Sequence, residues 1–313
     1  MPEQAVGQDL VFHKSLNVGS HSCIEPVGKS QYDTHMKNMK SKRGLFFLLA
    51  VTPLAFAAYS PPAHSASSGW EDIGGGKARL VAVVHPEEGR IEGFVEFALE
   101  EGWKTYWKYP GDSGIAPEFD FSQSSGVAID QISFPAPKFI RIPGSSFAGY
   151  KGDTRFVFEG AIGGPNPSLS LNLMAGVCKD ICIPAMASFS IDAAELEASD
   201  VRSLLELDEA REHLPKSATG ELGVVHGRLA SDGTLTFDAK VPVNSGDAQL
   251  FVMPPAGLFP TEPQAESGQS GTARVFTSSL GSDFVRDEAV GQSWEYVLTT
   301  GSEAVTGRVE LQP

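Results

Sequence analysis

The chain has 313 residues, 41% of them hydrophobic and 20% charged, a composition that suits one large or two ordinary globular domains and excludes disordered and fibrous classes. Its 24 basic and 39 acidic side chains give a formal charge of -15, which argues against a sequence-independent grip on nucleic acid or on an anionic bilayer and leaves neutral or basic partners. Thirty-three glycines, 21 prolines and 19 phenylalanines, set among short β-rich runs, point to an all-β chain with one helical interruption.

In chain order, the first feature is a secretory pattern. A basic stretch, Met39 to Arg43, precedes the apolar run Gly44 to Ala58, which Thr52 and Pro53 interrupt and which is too short to span a bilayer. Small residues permit cleavage after Ala57 or after Ser65. Because the basic stretch lies far from Met1, translation is expected to start at Met36 or Met39, which removes Cys23. Residues 1–66 are thus read as an upstream extension and signal; the bland alternative is a long N-terminal tail in front of a buried apolar segment. No other stretch approaches the ~20 apolar residues of a spanning helix. These 66 residues hold six basic and four acidic side chains, so the exported remainder is more acidic than the whole, 18 against 35. Cys178 and Cys182 are its cysteines, and an even count in an oxidising compartment reads first as a disulfide.

Within the exported part, Ala78 to His85 and Arg90 to Leu99 flank the turn Pro86-Glu87-Glu88-Gly89 and predict a hairpin. Trp103 to Lys108 is a short aromatic strand closed by the loop Tyr109 to Gly114. Further strands are expected at Glu118 to Ser122, Val127 to Phe134, Thr154 to Glu159, Ser168 to Val177 and Ala185 to Ile191. That density of short strands suits a two-sheet antiparallel sandwich, placed at 67–192. From Glu195 to Leu214 the period changes to that of one amphipathic helix, with Ser199 as N-cap, Asp200 in the first turn, Val201, Leu204, Leu207 and Leu214 on the buried face, and Pro215 as the stop. This helical linker covers 193–219. Period-two texture then returns at Glu221 to Ala230, Thr234 to Val241, Ala248 to Met253, Ala273 to Thr277, Trp294 to Thr299 and Thr306 to Leu311. It predicts a second, smaller β-domain over 220–313 with Phe237, Phe251 and Trp294 in its core.

Candidate chemistry concentrates at Gly176-Val177-Cys178-Lys179-Asp180-Ile181-Cys182-Ile183-Pro184. On one extended strand residues four apart would have Cα atoms about 13 Å apart, whereas a disulfide spans only about 4.4 to 6.8 Å, so Lys179, Asp180 and Ile181 must turn. A bridge across so small a loop contributes on the order of 2 kcal/mol in the chain-entropy view, which makes it a poor staple. Lys179 favours a Cys178 thiolate and Asp180 partly cancels that effect. From the residues alone a redox-active pair and a structural disulfide both stand. No metal or other cofactor is expected, since His85, His213 and His226 lack ligand spacing, and the same scarcity argues against a Cys-His hydrolase.

The run Gly102-Trp103-Lys104-Thr105-Tyr106-Trp107-Lys108, the loop Pro110-Gly111-Asp112-Ser113-Gly114, the segment Ser146-Phe147-Ala148-Gly149-Tyr150 and the motif Cys178-x-x-x-Cys182-Ile183-Pro184 occur in that order. Together they resemble the N-terminal periplasmic domain of the DsbD/ScsB-type protein-disulfide reductases over roughly residues 70–192, and the helix with the second β-domain resembles the next portion of ScsB-like members. The resemblance implies two immunoglobulin-like sandwiches joined by the helix, and a periplasmic location. It also implies a pair matching Cys178 and Cys182 that takes electrons from a membrane-embedded donor and passes them to thioredoxin-like proteins. By position Phe147 matches an aromatic of the loop that caps the disulfide, between Pro143-Gly144 and Gly149 as hinges, and Tyr106 matches an aromatic beside the cysteines. Both have a plain alternative as core aromatics. Cys182 is the expected attacking residue and Cys178 the resolving one. Two departures stand out: the Cys-x3-Cys spacing is shorter than in some members, and the sequence ends at Pro313 without the family's polytopic membrane and thioredoxin domains, so a separately encoded donor is expected. The competing expectation is a non-catalytic exported β-sandwich adaptor with a structural disulfide.

Overall fold

The computed structural model describes residues 64–111, 114–142, 145–197, 201–243, 246–255, 257–267, 271–281, 286–301 and 303–313. The expected signal segment, the Pro143-Gly144 hinge and the Ser199-Asp200 cap lie outside them. In chain order the strands are β1 (His64–Ser67), β2 (Glu71–Asp72), β3 (Gly76–His85), β4 (Arg90–Leu99), β5 (Lys104–Tyr106), β6 (Glu118–Asp120), β7 (Val127–Ser133), β8 (Lys138–Ile142), β9 (Ser145–Lys151), β10 (Thr154–Ile162), β11 (Leu169–Cys178) and β12 (Cys182–Ile191). Helices α1 (Ala193–Leu196) and α2 (Val201–Glu212) come next. Beyond them lie β13 (Lys216–Ser217), β14 (Gly223–Leu229), β15 (Thr234–Lys240), β16 (Gln249–Met253), β17 (Gln264–Ala265), β18 (Ala273–Ser279), α3 (Arg286–Ala289), β19 (Ser293–Thr299) and β20 (Ala304–Gln312).

The first twelve strands make a sandwich of two antiparallel sheets, ordered β1-β3-β4-β10-β7 with β2 on β3, and β12-β11-β5-β9-β8 with β6 on β11. β3 reads as a continuous apolar run because both of its faces are covered. Ala78, Leu80, Ala82 and Val84 point into the core between the sheets, whereas Val81 and Val83 lie beneath α2. β4 alternates likewise, with Ile91, Val95 and Phe97 in the core and Phe94 under the helix beside the buried carboxylates of Glu92 and Glu96. The hairpin β8/β9, absent from the sequence expectation, has Pro137 before β8 and Pro143 between its strands, which interrupt its alternation.

The expected single helix is two. Asp192 caps α1 by accepting from the Glu195 N–H at 2.9 Å, while the Glu195 carboxylate accepts from the Asp192 N–H at 2.8 Å. In α2 the buried face is Leu207 and Ala210, flanked by Leu204 and Leu214. Val201, expected on that face, is 68% exposed. At ~100° per residue it stands about 120° around the axis from Leu207, which explains the difference. The helix is therefore a cover for the outer face of the first sheet rather than a bare connection. Its charges reach down to that sheet: Glu206 accepts from Arg79 at 2.9 Å, Glu209 from Arg155 at 2.7 Å, and Arg211 donates to Glu92.

The second β-domain is one eight-stranded sheet, β16-β19-β20-β14-β15-β18-β17 with β13 on β20, that folds over its own core. Phe237 and Trp294 sit in that core, with ring centroids 6.4 Å apart. Phe251 does not. It is buried against the first sandwich, edge-on to Trp107 at 6.0 Å and stacked on Phe139 at 4.3 Å. A lone aromatic on a period-two strand carries no mark of which domain it faces. Lys108 pairs with Glu295 at 2.8 Å, and the Tyr109 hydroxyl donates to the Leu258 carbonyl at 2.8 Å, so the two β-domains share one interface within the compact unit Ala58–Pro313.

Glu92 generates the stability prediction. Burial pushes its carboxyl pKa up, but the hydrogen bond from His85 and the charges of Arg211 and Arg90 outweigh that and hold it below its ordinary value of 4.5. A depressed carboxylate contributes stability that is present in full above pH 4.5 and is lost as the pH falls through the folded value. Glu92→Gln is expected to cost about 1.5–3 kcal/mol at neutral pH, because Arg90 and Arg211 stay solvated enough to rehydrate, and to flatten the acid limb of stability. Urea unfolding of both proteins between neutral and acid pH checks it.

Candidate functional site: a shielded disulfide at a hairpin end

β11 and β12 are zipped in antiparallel register from Leu169 opposite Ile191 to Cys178 opposite Cys182. The three residues Lys179, Asp180 and Ile181 close the hairpin, with the Lys179 N–H donating to the Ile181 carbonyl at 3.1 Å. The turn that the spacing demands therefore places the sulfurs face to face, and they are bonded, with Cα atoms 4.1 Å apart. Cys178 is 4% exposed. Cys182, on the outer strand, is exposed.

Tyr106 stands at the end of β5, which pairs with β11 on one side and β9 on the other. Its hydroxyl lies 3.0 Å from Cys178 Sγ and 3.1 Å from Cys182 Sγ. A bonded sulfur carries no proton, so the phenol donates. Burial pushes the Tyr106 pKa up, so the donor keeps its proton through neutral pH. Two glycines make room for this ring: a Cβ at Gly114 or at Gly176 would come within 2.7 Å of it. Thr105 fixes the neighbouring backbone by donating to the Gly176 carbonyl at 2.9 Å.

Phe147 covers the Tyr106 ring at a centroid distance of 4.6 Å and is 3% exposed. It sits on strand β9, opposite Ile140 on β8, rather than in an irregular loop. Tyr106, Ile140, Phe147 and Cys178 form an apolar cluster of their own, separate from the sandwich core. All four residues expected at the site thus converge, and Ile140 joins them. Ile140 is not legible as a site residue in the sequence because nothing local ties it to the cysteines; only the pairing of β8 with β9 does. Among the described residues no cluster of acidic, histidine or cysteine side chains is arranged to hold a metal.

The site is a disulfide at the exposed edge of a sandwich, with an aromatic cluster packed on its buried cysteine. Residues 77–193 match the family described as thiol:disulfide interchange protein DsbD, N-terminal, so this part of the chain is a DsbD N-terminal-type domain. The crystal structure of the N-terminal periplasmic domain of ScsB from Proteus mirabilis is similar over 79% of this chain and 98% of that chain, with a TM-score of 0.65. At 20% identity that likeness establishes the fold, second β-domain included. No curated protein matches the sequence.

Tyr106→Phe removes a hydroxyl that reaches both sulfurs. In the reduced protein the thiolate of either cysteine is expected to lose a hydrogen-bond donor, which raises the thiol pKa. The pH dependence of iodoacetamide alkylation measures this, and an unchanged profile would remove Tyr106 from the chemistry.

Proposed function

We propose that this chain is an exported thiol–disulfide exchange module that receives electrons from a membrane-embedded donor and passes them through Cys178 and Cys182 to thioredoxin-like proteins of the periplasm. In this reading 67–192 carries the exchange, 193–219 joins, and 220–313 is an accessory β-domain. The carrying observation is the asymmetry of the pair: Cys182 faces solvent while Cys178 is enclosed by Tyr106, Ile140 and Phe147.

In the reduced module the Cys182 thiolate attacks one sulfur of a partner's disulfide, and the other partner sulfur leaves as a thiolate. The Cys178 thiol then gives up its proton and attacks the mixed disulfide at Cys182. The partner departs with both sulfurs reduced, and the Cys178–Cys182 bond is restored. Two electrons and two protons pass to the partner, and the donor replaces them in the reverse exchange. Tyr106 stabilises negative charge on either sulfur, since its hydroxyl reaches both. Phe147 keeps small thiols off the bond and moves aside when a partner docks.

The competing reading is an adaptor with a structural bond. Weighing against it, β11 and β12 are already held by continuous register up to the cysteines, so the bridge adds on the order of 2 kcal/mol or less. Cys178→Ser is expected to trap a covalent complex with a thioredoxin-like protein in periplasmic extracts, Cys182→Ser to trap little, and the reduction potential to lie above about -300 mV. A potential below that value with no mixed disulfide from either variant would leave the adaptor. Export itself predicts a mature N-terminus at Ala58. Cleavage after Ser65 would cut β1, whose four residues pair with Val81 to Val84 of β3 and whose Ala66 is buried. N-terminal sequencing of the exported protein decides between the two.

A further inference from the structure

We propose that Glu262, in the second β-domain, is a positioning residue that latches the Phe147 cap shut, so that this domain sets how readily the disulfide is reached. The proposal rests on the reading of Phe147 as a shield. Arg141 on β8 and Ser146 on β9 are direct cross-strand partners, and the next pair inward is Ile140 opposite Phe147. One carboxylate spans that outer pair: Glu262 accepts from the Arg141 guanidinium and, at 2.6 Å, from the Ser146 hydroxyl. Phe147 therefore cannot lift with the end of its hairpin unless both bonds to Glu262 break.

Both sides of the latch are held. β8 is the outermost strand of its sheet, so its free side depends on the second domain, where Phe139 stacks on Phe251. Glu262 lies between Pro260 and Pro263. Its neighbour Thr261 is tied to β18 by an N–H donated to the Ser279 carbonyl at 2.9 Å and by the Ser278 hydroxyl donating to the Thr261 carbonyl at 2.7 Å. Gln264 then enters β17 and pairs with Thr277. The carboxylate is thus presented by a segment with little freedom to follow the cap, and opening the cap means leaving Glu262 behind. A partner that engages the 258–263 segment would loosen the cap from a distance.

The test is the rate at which dithiothreitol reduces the Cys178–Cys182 bond in the full exported chain, the reagent closing to its own disulfide as the cysteines become thiols. Glu262→Ala and Arg141→Met are expected to raise the rate roughly three- to tenfold, given the strength of hydrogen bonds to charged groups, and Glu262→Gln to raise it less because it keeps an acceptor. Arg141 is 63% exposed on its side chain, so its replacement tests the latch even if Glu262→Ala destabilises the fold. In a Phe147→Ala background, which should itself be faster, neither latch variant should add anything. An unchanged rate for Glu262→Ala and Arg141→Met beside a faster Phe147→Ala overturns the latch and leaves the shield. Latch variants that still accelerate the reaction without Phe147 overturn it too. No acceleration in any variant overturns the shield, and the latch falls with it.

Discussion

A disulfide between residues four apart can form only if the chain between them reverses at once, and here that reversal is also the end of a long hairpin. Register from Leu169 opposite Ile191 onward brings Cys178 opposite Cys182 before any bond is made. The pairing of β5 with the same end of β11 then delivers Tyr106 to both sulfurs, and the pairing of β9 with β5 delivers Phe147 to Tyr106. Each step depends on the previous strand's position. The bond contributes little to holding the sandwich together, since the backbone ladder already does so.

The rest of the molecule packs on the sandwich at two places. On the outer face of the first sheet, α2 covers Val81, Val83 and Phe94, and buried carboxylates on β4 meet arginines from the sheet and the helix. Leaving Glu92 or Glu96 without a cation there would cost more than the pairs contribute, so the helix and the sheet are matched rather than merely adjacent. On the other side, the second β-domain packs Phe251 against Trp107 and Phe139, next to the hairpin that bears Phe147. The aromatic cover therefore has one side on the disulfide and the other close to a neighbouring domain.

Much of the strand layout is legible in the residues. Ala78 to His85 and Arg90 to Leu99 form β3 and β4, and the six β-runs expected beyond the helix correspond to strands of the second domain. The exceptions are informative. β8 and β9 are hidden because Pro137 and Pro143 bracket β8 and break the hairpin's short alternation, so that it resembles loop. Val201 lies off the expected face because an apolar residue in a first turn need not share the phase of the later turns. Phe251 leaves its own domain's core because strand alternation shows that a side chain is inward without showing toward which core.

Chemistry local to the chain is written in the residues themselves: the β-rich texture, the helical period between Glu195 and Leu214, and the enforced turn between Cys178 and Cys182. Such features depend on neighbours a few positions away, where covalent geometry and side-chain period leave few options. Folding alone decided that Tyr106 reaches both sulfurs, that Phe147 lies on a strand backed by Ile140, and that Glu262 meets Arg141 and Ser146 across more than a hundred residues. Those contacts arise from strand order and domain packing, and no periodicity within a segment encodes which distant segment it will meet.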